Sequence, residues 1–88
     1  MPLELNIEEI LEKNINGDEE LLKKVKGKCG DLEREINKKL NEEDADLVGI
    51  FNRIKTISKR LLGEIWVSKN WKNIEFDIKK EIESLRRK

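Results

Sequence analysis

Leucine and isoleucine recur along this chain in steps of three and four, the spacing of helices that bury one face. Leu21, Leu22, Val25, Cys29, Leu32, Ile36 and Leu40 fall within about 100° of one another on a helical wheel. The stripe predicts one helix over about 18–41, with a narrow coiled-coil-like seam. Asp18 is its N-cap, Glu19 and Glu20 stand in its positive first turn, and Lys38 and Lys39 lie near its negative end. Gly27 and Gly30 each cost about 1 kcal/mol relative to Ala inside a helix. They suggest either a kink or a stop at Gly30 with Asp31 as a new N-cap. Because the stripe keeps phase across both glycines, the kinked single helix is the expectation.

A second long helix is predicted to start in the acidic run Asn41–Asp46. It carries Leu47, Ile50, Phe51, Ile54, Ile57, Leu61 and Ile65 on one face, widened by Leu62. Gly49, Thr56 and Gly63 line its back at seven-residue intervals, read chiefly as a solvated face. A third helix, capped by Ser68 or Asn70, places Trp71, Ile74, Ile78, Ile82 and Leu85 in phase. Ile74–Ile78 also alternates as a strand would, but Ile82 and Leu85 continue the helical phase and no other segment offers a pairing partner. A short first helix opens at Asn6, which forms a capping-box-like pair with Glu9, and ends at Asn16-Gly17. The expected fold is all-α: a single domain over 1–88, built as a small antiparallel bundle of two long helices, a third shorter helix and a short N-terminal helix.

Charge follows the same punctuation. The blocks 1–22, 23–40, 41–50, 51–63 and 64–88 carry −6, +4, −4, +4 and +2, and the chain is neutral with 19 bases and 19 acids. Acid at each start and base at each end is the order that helix dipoles favour. Neutrality argues against binding nucleic acid through bulk electrostatics. Charged residues make up 43% of the chain, but the phased Leu and Ile argue against disorder. The longest apolar run is Ile65-Trp66-Val67, far short of the roughly 20 residues of a membrane span. The start Met1-Pro2-Leu3-Glu4 shows no basic stretch before an apolar run, so the expectation is a cytoplasmic chain without a secretory leader.

The composition also limits chemistry. With no His there is no common general base, and Cys29 alone cannot build a zinc site or an internal disulfide. Cys29 sits in an apolar stripe and reads as a small buried hydrophobe rather than a reactive thiol. Gly27-Lys28-Cys29-Gly30 lacks both the spacing and the preceding strand of a phosphate loop. Asp44-Ala45-Asp46 with Gly49 starts like a calcium loop, but Val48 then occupies a ligand position and Lys55 stands where a bidentate Glu belongs. No catalytic, metal-binding or cofactor-binding residue is therefore assigned. One carboxylate pattern remains: Glu9 with Glu12, and Glu43 with Asp46, are acid pairs at helical spacing that could hold Mg²⁺ against a nucleotide's phosphates. The segment Glu42-Glu43-Asp44-Ala45-Asp46-Leu47-Val48 resembles the second acidic motif of the all-helical MazG-type nucleotide pyrophosphohydrolases. That resemblance implies Mg²⁺-dependent pyrophosphate release as an alternative function. Glu9 and Glu12, however, project away from the apolar face of their helix.

Binding features complete the reading. Trp66 and Phe76 fall outside the main stripes and Trp71 lies on one; off-stripe aromatics are candidate interface anchors. Arg53 and Arg60 flank one edge of the second long helix, and Lys55 and Lys59 the other. The expected role is a non-catalytic protein–protein interaction or assembly module, an adaptor or small regulator that meets a partner protein or a second copy of itself. The residues expected to carry it are Trp66, Phe76, Trp71, Arg53 and Arg60. A second alternative is a nucleic-acid accessory role on the basic helix face and the tail Ser84-Leu85-Arg86-Arg87-Lys88.

Overall fold

The computed structural model of the chain describes residues 3–87. Met1, Pro2 and Lys88 lie outside it, and so do the leader reading and the end of the basic tail. The described residues form five helices and no strand. They are α1 (Ile7–Ile15), α2 (Glu19–Val25), α3 (Gly30–Leu40), α4 (Leu47–Leu62) and α5 (Glu64–Arg86). No helix among them is long and apolar enough to cross a membrane.

Local signals set most of the boundaries. Asn6 Oδ1 accepts from the Glu9 N–H at 3.0 Å and its amide donates to the Glu9 carboxylate at 3.2 Å, so the expected cap opens α1. Asn16 and Gly17 close α1 with positive φ values of 57° and 88°, the left-handed turn that ends many helices. Asp18 caps α2 by accepting from the N–H groups of Glu20 and Leu21. Asp46 caps α4 through the Gly49 N–H at 3.0 Å. A β-carbon at Gly49 would sit 2.6 Å from Asp46 Oδ2, so this glycine makes room for the cap. Thr56 is solvent-exposed, in line with the solvated reading of that face. Residues 74–78 are helical.

Two boundaries differ from the periodicity. The helix expected over about 18–41 is broken between Val25 and Gly30, where Gly27 takes a φ of 73°. The Lys28 N–H closes the turn onto the Val25 carbonyl at 3.0 Å. Cys29 lies four positions beyond Val25, and four positions turn a helix by about 40° beyond a full circle. A tight turn of that length keeps the stripe in phase, and both Val25 and Cys29 are fully buried. The second long helix stops at Leu62 rather than reaching Ile65. Gly63, with φ 92° and ψ 152°, is both its C-cap and the N-cap of α5, which therefore begins before Ser68 or Asn70 and runs for 23 residues. The two long helices are thus α4 and α5, and the 18–41 stripe supplies two short ones.

The core draws on every helix. Leu5, Ile7 and Leu11 from the N-terminal region join Val25, Cys29, Ile36, Ile50, Ile54, Val67, Ile74 and Ile78, all essentially sealed from solvent. Helix α4 packs against α2, α3 and α5, while α1 lies against α2 and α5. Lys79 places its ammonium 5.9 Å from the Phe51 ring centre and Lys55 lies 5.6 Å from the Trp71 ring centre. The start of α4 thus meets the end of α5, so the pair is an antiparallel hairpin turned at one residue.

One core position is polar. Ser58 on α4 is fully buried, and its Oγ has no hydrogen-bond partner. A buried unpaired hydroxyl costs about 1–3 kcal/mol of desolvation, and Ala is the better helix former. Ser58→Ala is therefore expected to raise stability by about 1 kcal/mol. A urea midpoint that falls would show that the hydroxyl has a partner in solution.

Candidate interaction surface

The core side of α5 is set by Val67, Ile74, Ile78 and Ile82. About half a turn away, at 100° per residue, lie Ile65, Lys69, Lys72, Phe76, Lys80, Glu83 and Arg87. All seven are exposed. Helix α5 spans about 34 Å at 1.5 Å per residue, close to the 37 Å long axis of the molecule. Its outer face is thus a stripe running most of the length of the fold, with Phe76 near the middle. Phe76 keeps 60% of its surface in solvent and Ile65 keeps 74%. The Lys80 ammonium stands 5.6 Å from the Phe76 ring centre. Four cations (Lys69, Lys72, Lys80 and Arg87) meet a single acid, Glu83, on this face, while Lys79 at its edge is paired with Glu75 at 3.6 Å.

The five residues singled out from the sequence are not brought together. Arg53 is engaged by Glu35 of α3, with Nε at 2.8 Å from Oε2 and Nη2 at 3.3 Å from Oε1. It pins α3 to α4. The hydrogen bond from Arg53, aided by Lys39, holds the Glu35 carboxyl below the usual carboxylate range. Trp71 is half-buried against the core beneath Lys55, so it serves packing more than recognition. Trp66 is half-buried at the hairpin end, beside a shallow depression that it lines with Leu62, Ile65 and Lys69. Arg60 is exposed in the last turn of α4, where a cation suits the helix dipole. Of these five, Phe76 alone stands out from the fold as an apolar anchor should.

The acid pairs are used locally. Glu9 accepts from Asn6 and Asp46 from Gly49. Among the described residues, no three of Cys, Asp and Glu gather to hold a metal ion. A groove lies between α1 and α5. Glu9, Lys13, Asp77, Lys80 and Glu81 line it with both signs of charge, and Asn14 ties its walls by donating to Asp77 at 3.0 Å. Cys29 is sealed in the core. Burial, and then the nearby carboxylates of Glu8, Glu33 and Glu12, push its thiol up to about 11, so it stays protonated at neutral pH.

A set of polar clamps escaped the sequence reading. Asn41 accepts the Leu3 N–H at 2.7 Å and donates to the Leu3 carbonyl at 2.8 Å, while Asn37 accepts the Leu5 N–H at 2.7 Å. Glu33 accepts the Glu8 N–H, and Glu8 in turn accepts the Gly27 N–H, both at 3.0 Å. These clamps fasten the N-terminal segment and α1 onto α3 and the α2–α3 turn. Compared with protein-family models, curated proteins and solved structures, the chain finds no match.

Proposed function

We propose that this chain is a non-catalytic protein–protein interaction module, an adaptor or small regulator, that docks through the outer face of α5 onto an acidic protein surface with an apolar recess. The observation that carries the reading is Phe76, an aromatic ring 60% exposed in the middle of a lysine-lined helix face. Moving a Phe side chain from water into a recess contributes about 1.5–3 kcal/mol. The flanking cations add orientation and association rate more than affinity. Phe76 takes no part in the core, so Phe76→Glu is expected to leave the melting temperature unchanged. The variant should reduce recovery of the partner from native-host extract at least about tenfold, as hot-spot truncations do. Equal recovery by wild type and Phe76→Glu would sink the proposal.

The same four cations favour nucleic acid as a second reading, on a different face from the one read off the sequence. There, Arg53 is spent on Glu35 and Lys55 on Trp71. The two readings part on salt. Nucleic-acid binding weakens with a log–log slope proportional to the number of phosphates neutralised, whereas a Phe-anchored protein contact persists at moderate ionic strength.

A further inference from the structure

The turn between α4 and α5 is a single residue in a conformation almost reserved for glycine. Gly63 has φ 92° and ψ 152°, a region that side-chain-bearing residues essentially do not enter. The helical ladder is nearly unbroken around it. The Gly63 N–H donates to the Lys59 carbonyl at 2.9 Å, and the Gly63 carbonyl accepts from the Val67 N–H at 3.2 Å. Both are four-residue helical bonds. Moving Gly63 into the α region would add the bonds of the three donors between them, at Glu64, Ile65 and Trp66, and fuse α4 and α5 into one helix. Ile65 then falls one turn beyond Leu61, within about 20° of Ile54 on the wheel. The residue that the hairpin leaves 74% exposed thereby extends the buried seam of α4.

We propose that this protein forms a domain-swapped dimer with a second copy of itself, in which Gly63 is the hinge and α5 is the exchanged element. A fused helix over 47–86 would be about 60 Å long, well beyond the 37 Å of the closed molecule. Opening lifts α5 from α4 and α1, and so uncovers Ile54 on one side and Val67, Ile74 and Ile78 on the other. Only a partner's α5 restores those contacts with the same side chains, and reciprocal exchange restores them in both copies. The hinge regions of the two copies meet at the two-fold axis, where Ile65 is placed to be covered. Closed and swapped forms share every contact except those at the hinge, so the hinge residue sets their balance.

Gly63→Ala tests this, because Ala is excluded from the closed turn and favoured in the fused helix. Size-exclusion chromatography with light scattering is expected to show a dimer whose dissociation constant is at least about a hundredfold below the wild-type value. Inserting Gly-Ser-Gly after Gly63 relaxes the turn and should shift the balance towards monomer. A folded Gly63→Ala monomer with a lowered melting temperature would overturn the proposal, and so would a dimer that the insertion leaves undiminished. If Gly63→Ala does not fold, wild-type protein refolded at high concentration decides. A dimer that reverts only through unfolding supports the exchange, and recovery of monomer alone overturns it.

Discussion

Ile54→Ala is expected to cost about 2–5 kcal/mol of stability, the range for removing a large aliphatic side chain from a close-packed core. Ile54 is fully buried on α4, the helix that touches α2, α3 and α5 together. A cavity there removes contacts shared by several helices, and neighbours pinned from three sides can collapse into it only partly. A folded chain of 88 residues is stable by about 4–13 kcal/mol in all, so the variant loses a large fraction of its margin. Val48→Ala, in the first turn of the same helix but 71% exposed, should move stability by less than about 0.5 kcal/mol. Urea unfolding of the two variants measures the contrast. Similar midpoints would mean that α4 is not the hub of the packing.

Asn37→Ala is expected to cost about 1–3 kcal/mol, because it strands the Leu5 N–H in a partly buried place with no acceptor. At about 4–8 °C per kcal/mol for a domain of this size, the loss is easily seen in a thermal melt. The Leu5 amide should also exchange with solvent faster. Asn37→Asp keeps an acceptor at the same atom and should retain most of the stability. If both variants melt alike, the bond from Leu5 contributes nothing and burial of the Leu5 side chain alone holds the segment.

What could be foreseen in this molecule was local. Asn6 with Glu9, Asn16-Gly17, Asp18 and the acid-to-base order of the helices act within one turn of chain, so their chemistry is visible in a short window of sequence. Helical phase was harder to use, because it records which face is buried and not whether the axis is continuous. The turn from Val25 to Cys29 leaves both residues buried in the same core, and the stripe runs through it. At Gly63 the opposite happened: Ile65 matches the α4 phase, but the chain reverses before reaching it. Gly63 carries a stop signal, as a glycine following the basic pair Lys59 and Arg60, but its seven-residue spacing with Gly49 and Thr56 reads as part of the helix's back. The clamps of Asn37 and Asn41 join residues 32 and 38 positions apart. No periodicity encodes such pairs, since an exposed-looking Asn on a helix gives no hint of the distant N-terminal segment it will hold. For the candidate surface, Phe76 was legible as an apolar residue out of phase. The lysine stripe around it emerged only once α5 was known to start at Glu64.

The sealed position of Cys29 turns the molecule into its own reporter. A thiol reagent cannot reach this sulfur while the core stays closed over it, and the chain has no other cysteine to confuse the signal. The rate at which native protein takes up such a label therefore counts how often the core around Cys29 opens, without any probe being grafted on.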